Sequence, residues 1–353
     1  KRNLGALQGR GIRMAGLEPI AGKRGIFFTF IAITIMAIIV LVYTPSANIT
    51  VKKDTESVKS RISIIDRYVD ELEEQYLETV LRASSHKAVL SLIYYINSSD
   101  PPQYLPNFDS AFYEVIMNGS INGIAIDSVT GRKIMDNSTL SNWTEKITNT
   151  AKDTYNVNTS IKINSASASQ SKPWAIDISL NLNFNVQSEV ASWRKDGVII
   201  KTSIDIEGFH DPYYIVNTNR QYSPTIKKSS LEFSKWNITY AREHLRNSTY
   251  VHWQDSEAPS FLMRFTNTIQ ASNCCGIESL VDPNKISPPD QRESYVDYLF
   301  WSHQYNLQCP LLYNITNPST GKGLWDEFRY FKLDLDHVVK YNITSEYVVG
   351  TCS

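Results

Sequence analysis

The most apolar stretch of the chain runs from Ile26 to Tyr43. It contains no charged residue, and as a helix its 18 residues would extend about 27 Å, close to the hydrocarbon thickness of a bilayer. We interpret residues 26–43 as a single transmembrane helix. The alternatives are a buried core helix and a cleaved secretory signal with Pro45-Ser46-Ala47 at its cleavage site.

A helical spacing of apolar residues follows this stretch. Over residues 51–96 apolar side chains recur every three or four positions, and charged side chains fill the other faces. The pattern predicts a long amphipathic helical stalk over residues 51–96, which Asp100-Pro101-Pro102 ends. The stripe fits either packing on the protein's own core or an intermolecular coiled coil. Its first members are Val58, Ile62, Ile65, Val69, Leu72 and Tyr76.

Residues 100–219 have a mixed pattern. From Trp174 to Val186 apolar and polar residues alternate strictly, and a similar alternation returns over Val198–Ile206. Alternation of this kind is typical of strands with one buried face, so we predict an antiparallel hairpin. The other expectations for this region are a short strand at Ile121–Asp127, a helix at Leu140–Tyr155, an exposed loop at Ser165–Ser171, a connection at residues 188–197 and a third strand at Tyr213–Val216.

Residues 220–353 are rich in aromatic residues and loops, and they contain all four cysteines. We expect the neighbours Cys274 and Cys275 to bond to different partners, because a bridge between neighbours is strained. Their partners would be Cys309 and Cys352, in a pairing that the sequence leaves open, which predicts a disulfide-tied C-terminal subdomain. A zinc site is the rival interpretation. Helices are predicted at Glu232–Arg246, Ala258–Gln270 and Ser294–Ser302.

These elements together predict an α+β protein, in which a transmembrane helix leads into a long amphipathic helix and then into an antiparallel β-rich ectodomain. Its charge is uneven: residues 1–25 hold six of the 35 basic residues and one of the 36 acidic ones. The positive-inside rule therefore makes residues 1–25 a basic cytoplasmic leader and puts residues 46–353 outside the cell. The remainder is mildly acidic, which gives no reason to expect nucleic acid as a partner.

The glycosylation acceptor pattern Asn-x-Ser/Thr occurs ten times, always after the apolar stretch. This position agrees with an extracellular domain that carries N-linked glycans. A polar, Asn-rich surface that forms the pattern by chance is the alternative. The predicted sites are Asn48, Asn97, Asn118, Asn137, Asn142, Asn158, Asn237, Asn247, Asn314 and Asn342.

Patterns that carry catalysis are missing from the sequence. The six histidines have no metal-binding spacing, and His210-Asp211 before Pro212 is better explained as a turn than as a catalytic dyad. Asp334, Asp336 and His337 can form a calcium site, but we favour a solvated strand edge with both carboxylates on one face. We therefore assign no catalytic, cofactor-binding or metal-binding residue and predict that the protein is not an enzyme.

The segment Met14–Gly25, ending in Lys23-Arg24-Gly25 and followed by the apolar helix from Ile26, resembles the leader of archaeal type IV pilin-like proteins. The resemblance implies that a dedicated peptidase cuts after Gly25, and that the helix continues outward as an amphipathic spine bearing a β-rich head. The implied function is that of a structural or assembly subunit. It would contact the bilayer and associate with itself or with other surface proteins through residues 26–96. The alternative function is a tethered extracellular binding or adhesion module.

Overall fold

The structure is a computed structural model of the 353-residue chain. It describes residues 31, 33–35, 52–231, 235–255, 257–286, 293–302, 312–320 and 331–350. The chain divides into two units between Lys59 and Ser60. Within the predicted span 26–43, only residue 31 and residues 33–35 are described, and they are helical. None of the helices in the described residues combines the length and the apolarity that crossing a bilayer requires.

The predicted amphipathic helix is confirmed and runs without a break from Lys52 to Ser98. It consists of α1 (Lys52–Glu71), a π-helical turn (Leu72–Tyr76) and α2 (Leu77–Ser98). Three members of the predicted stripe, Ile65, Val69 and Leu72, are buried in the chain's own core. This part of the stripe is therefore not free to pair with another chain. Thr55–Ser60 are exposed.

Short elements connect this helix to the main sheet. Asn107 caps the first helix, where its side chain accepts a hydrogen bond from the Ser110 backbone N–H, and Gly119 ends it with a φ of 68°. The strand predicted at Ile121–Asp127 is reduced to a small hairpin followed by one helical turn. The helix predicted at Leu140–Tyr155 is confirmed. The elements are α3 (Phe108–Asn118), β1 (Ser120–Ile121), β2 (Ile124–Ala125), α4 (Ile126–Thr130) and α5 (Leu140–Tyr155).

A three-stranded antiparallel sheet forms the centre of the fold. Its strands are β3 (Asn158–Lys172), β4 (Ala175–Gln187) and β5 (Ser192–Asp205), and β4 lies in the middle. The predicted hairpin is β4–β5. One face of the sheet packs on α2. That face includes every apolar member of the alternation on β4: Ile176, Ile178, Leu180, Leu182, Phe184 and Val186.

Two predictions about this sheet are wrong. Ser165–Ser171 is not a loop but part of β3, because Ala166 and Ala168 are buried while the serines alternate with them. Residues 192–197 belong to β5 rather than to a connection. The register shifts between Leu182 and Phe184, and the backbone N–H of Gly197 (φ 67°) donates to Asn183 Oδ1 at 2.7 Å.

The third strand predicted at Tyr213–Val216 is a short helix, α6 (Pro212–Asn217). Asp211 caps this helix and Pro212 occupies its first turn, where a proline is tolerated because no N–H is needed. Tyr213 and Tyr214 are neighbours and both are buried, whereas a strand with one buried face would expose one of them.

The C-terminal part is mostly irregular, with short elements and a second antiparallel sheet. Helix formation at 238–247 agrees with the prediction for Glu232–Arg246, whereas Ala258–Gln270 and Ser294–Ser302 hold only single helical turns. The elements are α7 (Ile238–Asn247), a 3₁₀ turn (Met263–Phe265), α8 (Asp297–Phe300), β6 (Leu312–Ile315), β7 (Lys332–Asp334), α9 (Leu335–Lys340), a 3₁₀ turn (Ser345–Tyr347) and β8 (Val348–Gly350). The strand order is β7-β6-β8. The α+β class is therefore confirmed.

The expected disulfide arrangement is wrong. Cys274 and Cys275 are bonded to each other within a turn at residues 273–275, where Cys275 is buried and Cys274 is exposed. A bridge between neighbours closes no loop, so it does not tie residues 220–353 into a subdomain. Cys309 and Cys352 lie outside the described residues.

Burial on β5 predicts that replacing two of its isoleucines by alanine will have very different effects on stability. Ile204 is 4% exposed and pairs with Ile176, whereas Ile199 is 57% exposed. Ile204→Ala is expected to lower the free energy of unfolding by about 2–5 kcal/mol, because it leaves a cavity in the core. Ile199→Ala, the matched control, should change it by less than about 0.5 kcal/mol. Urea denaturation followed by tryptophan fluorescence measures both, and equal effects would contradict the burial of this face.

Candidate functional site

A buried arginine joins three separate segments of the C-terminal part. Arg264 is fully buried, and its Nη1 donates to Asp211 Oδ2 at 2.7 Å and to Asp297 Oδ2 at 2.8 Å. Its Nη2 donates to the carbonyl oxygen of Ile277. The Tyr250 hydroxyl also donates to Asp211 Oδ2, at 2.9 Å. One cation therefore holds the cap of α6, the start of α8 and the segment before residue 278.

The charges of this group depend on one another. Burial alone lowers the pKa of Arg264, but the Asp297 and Asp211 carboxylates outweigh it and hold that pKa well above its ordinary value. Burial raises the pKa of Asp297, and Arg264 offsets only part of that rise. Removing the cation would leave two buried carboxylates without an opposite charge beside them, which is strongly destabilising.

A second buried group adjoins the first. His337 lies between two carboxylates, with its Nε2 3.3 Å from Glu278 Oε2 and its Nδ1 2.8 Å from Asp334 Oδ2. We call Glu278, His337 and Asp334 the ion triad. The Trp253 Nε1–H and the Tyr341 hydroxyl donate to Glu278 Oε1 at 2.8 and 2.9 Å. The triad is thus enclosed by hydrogen-bond donors as well as by apolar side chains.

The triad carries a proton on its imidazole. Burial alone lowers the pKa of His337, but Glu278 and Asp334 outweigh burial and raise it to about 10. Burial likewise would raise the pKa of Asp334, yet its hydrogen bond and charge interaction with His337 lower it to about 2. At neutral pH the triad therefore contains an imidazolium between two carboxylates.

A cavity of about 310 Å³ opens beside the ion triad. Asp334 and His337 form part of its wall, and Tyr298, Leu299 and Lys340 form another part. The exposed carboxylates Asp255, Glu257 and Asp336 complete the lining. We call this space the acidic cavity. Lys340 Nζ lies 2.7 Å from Asp336 Oδ2, and its side chain is only 10% exposed.

The geometry does not suit a metal ion. Ligand atoms of Asp334, Asp336 and His337 lie within 4.8 Å of one another, but both ring nitrogens of His337 are engaged with carboxylates. A protonated imidazole has no lone pair for a metal. The predicted strand edge is also wrong. Asp334 ends β7 and caps α9, while Asp336 lies in the first turn of that helix.

The structure locates nine of the ten predicted glycosylation sites, and Asn48 lies outside the described residues. Three of the nine, Asn97, Asn142 and Asn314, are half-buried. The other six are exposed: Asn118, Asn137, Asn158, Asn237, Asn247 and Asn342.

Most of the buried charged residues could not be predicted from the sequence. Arg264, Glu278 and Asp297 lie in segments without periodicity, and nothing in their spacing marks them. The sequence does bring Asp334 and His337 close together, but it predicts a solvated strand edge there and not a buried ion pair. Asp211 caps α6, in agreement with the interpretation of His210-Asp211 as a turn.

The chain matches no protein family model, and neither a curated protein nor a solved structure was found to be similar to it. The resemblance of its N-terminal segment to pilin-like proteins therefore stays a prediction.

The ion triad predicts a specific dependence of stability on pH. Because the pKa of His337 rises from 6.5 to about 10 on folding, its stabilisation is complete below pH 6.5 and is lost as the pH rises through 10. The free energy of unfolding should fall across this window by on the order of 3 kcal/mol more than in His337→Gln. Asp334 affects stability at acidic pH. Its contribution to the free energy of unfolding is lost as the pH falls from 3.8 through 2.

Urea denaturation at pH 6.5, 8 and 9.5 measures the difference between the two proteins. His337→Gln lacks the titrating ring and is expected to be less stable than the wild type at pH 6.5, with the gap closing as the pH rises. A constant gap would contradict a protonated imidazole in the triad.

A second prediction concerns the buried arginine. Arg264→Met is expected to lower the free energy of unfolding by about 3–5 kcal/mol, because Asp211 and Asp297 lose their cation. Arg194→Met is the matched control, since Arg194 forms an exposed pair with Asp196 at 2.9 Å and its side chain is 74% exposed. Thermal unfolding monitored by circular dichroism compares the two variants. Similar shifts in the two would show that Arg264 is not the organising charge.

Proposed function

We propose that the chain is a membrane-anchored extracellular glycoprotein that acts as a structural or assembly subunit. It would form a pilin-like filament or a component of the cell-surface layer. Residues 26–43 span the bilayer, residues 1–25 lie in the cytoplasm, and the rest of the chain lies outside. Assembly uses the N-terminal helical region.

The observation that carries this proposal is the helix from Lys52 to Ser98. Eight residues, 44–51, separate it from the apolar segment that ends at Tyr43, and from Ile65 onward it is part of the core of the fold. The apolar segment is stable only where it is sheltered from water. A bilayer and a helix bundle both shelter it, and either would remove on the order of a thousand Å² of its apolar surface from contact with water. The same helix can therefore carry the head and present a region for assembly.

The surface of the first turns of this helix also supports the proposal. Val58 is 37% exposed and Ile64 is 38% exposed, whereas Ile65 is 1% exposed. These two apolar side chains before Ile65 are therefore accessible to a neighbouring subunit. The six exposed glycosylation sites fit an extracellular head that carries sugar.

A specific observation favours the alternative function, a tethered binding or adhesion module. The acidic cavity has the size of a small-ligand site and is lined by carboxylates together with an aromatic residue. A binding head on a membrane anchor needs no filament. The two functions differ in whether the native protein is assembled.

Sedimentation after detergent extraction tests the proposal. The wild-type protein is expected to stay with the membrane and, after mild detergent, to pellet as an assembly. Val58→Glu should shift it to the micellar fraction, because a charge is introduced at the proposed contact. Ile199→Glu is the matched control, since it places the same charge at an exposed position of β5, and it should leave the pellet unchanged.

Two outcomes would contradict the proposal in different ways. Wild-type protein in micelles as single particles would remove the assembly role and leave the tethered module. Wild-type protein in the supernatant without detergent would remove the membrane anchor.

A further inference from the structure

We propose that the acidic cavity binds the ammonium or guanidinium group of an organic cation. This inference goes beyond the assembly role and does not depend on it, since the cavity lies entirely within residues 255–340.

The first argument is the charge balance of the cavity wall. Four carboxylates, Asp255, Glu257, Asp334 and Asp336, face two cationic groups, the His337 imidazolium and Lys340. The imidazolium is held by Asp334 and by Glu278 behind the wall, and Lys340 is paired with Asp336. Within the described residues, Asp255 and Glu257 form no ion pair. Glu257 is therefore available to a cation from outside, and Asp255, whose charge also acts on Lys340, adds to the attraction.

The second argument is independent of the first and concerns Tyr298. This residue is only 3% exposed and lines the cavity, yet its hydroxyl forms no hydrogen bond with any residue in the described part of the chain. Among the described residues this hydroxyl is not one of the sealed polar atoms without a partner, so it opens onto the cavity and can pair with a group that enters it. A ligand N–H inside the cavity would supply the missing partner.

The protonation state of the Tyr298 hydroxyl is also defined. Burial raises the pKa of Tyr298, and the carboxylates around it, Glu278 and Asp334 foremost, raise it further. The phenol therefore stays neutral at physiological pH. A neutral phenol oxygen accepts a hydrogen bond from an N–H donor, and its ring attracts a cation placed over its face.

The chemistry favours an organic cation over a metal ion. In the described residues, the compact group of metal-capable atoms includes His337, whose two nitrogens are already engaged. The cavity volume of about 310 Å³ far exceeds a single ion and lies at the lower end of small-ligand sites. Leu299 and the Tyr298 ring give the wall an apolar part, which suits the methylene groups that carry an ammonium or guanidinium.

Isothermal titration calorimetry on the full chain in detergent micelles tests the proposal. The probes are N-acetyl-arginine amide and N-acetyl-lysine amide as free cations, the peptide Gly-Arg-Gly amide as a protein-borne side chain, N-acetyl-norleucine amide as the neutral analogue, and calcium chloride. Binding of at least one arginine or lysine probe is expected, with no binding of the neutral analogue. Whether the free amides or the peptide bind better distinguishes a small-molecule source from a protein source.

Variants identify the cavity as the binding site. Glu257→Gln changes an exposed side chain, so folding should be preserved, and it is expected to weaken binding about tenfold because a charged partner is lost. Tyr298→Phe keeps the ring and should weaken binding about fivefold through loss of the hydroxyl. Lys340→Met should strengthen binding, because it removes a competing cation. Asp153→Asn, an exposed carboxylate of α5, is the control and should have no effect.

Several results would overturn the proposal. These are the absence of binding by every cationic probe, equal binding of the neutral analogue, equal effects of Glu257→Gln and Asp153→Asn, and binding of calcium alone. A wild-type protein that sediments as single particles would contradict the assembly role and leave this expectation unchanged.

Discussion

A guanidinium group that is sealed from water must have its charge balanced where it lies. Arg264 meets this requirement through Asp211 and Asp297, which are 53 and 33 residues away along the chain. Asp211 begins one helix and Asp297 lies at the start of another, so the balance is reached only when these segments are in place. The C-terminal part has few regular elements. Balancing the charge of Arg264 therefore helps to fix the relative positions of its segments, together with apolar packing. The ion triad extends the same principle to β7 and α9.

The parts of the fold that the sequence predicts well are those that depend on local periodicity. The long helix and the β4–β5 hairpin each bury one face, and their apolar residues repeat at the period of the element. β3 was missed because Ala166 and Ala168 are too small to mark an apolar face among serines, although the pleat buries them. α6 was missed because Tyr213–Val216 has the composition of a strand, and its conformation depends on the Asp211 cap and on burial of both tyrosines.

The candidate site was much harder to predict than the fold. Asp334, Asp336 and His337 are close in sequence, so their proximity was expected, but their surroundings were not. Glu278 reaches His337 across 59 residues, and Asp255 and Tyr298 reach the cavity from two further segments. Such contacts depend on tertiary structure and leave no periodic trace. The bond between Cys274 and Cys275 could not be predicted for a different reason, because it depends on the turn at residues 273–275 that holds the two side chains together.

The long helix has a mechanical consequence. Between Ser60 and Ser98 the chain contains neither glycine nor proline, and the π-helical turn at Leu72–Tyr76 is the one departure from α-helical geometry in this stretch. Its buried side chains, from Ile65 to Ile96, pack in the core of the fold along most of that length. A pull along the axis at the N-terminal end therefore loads these contacts in shear, all at once. Traction along the axis would therefore move the helix together with the elements on which it packs.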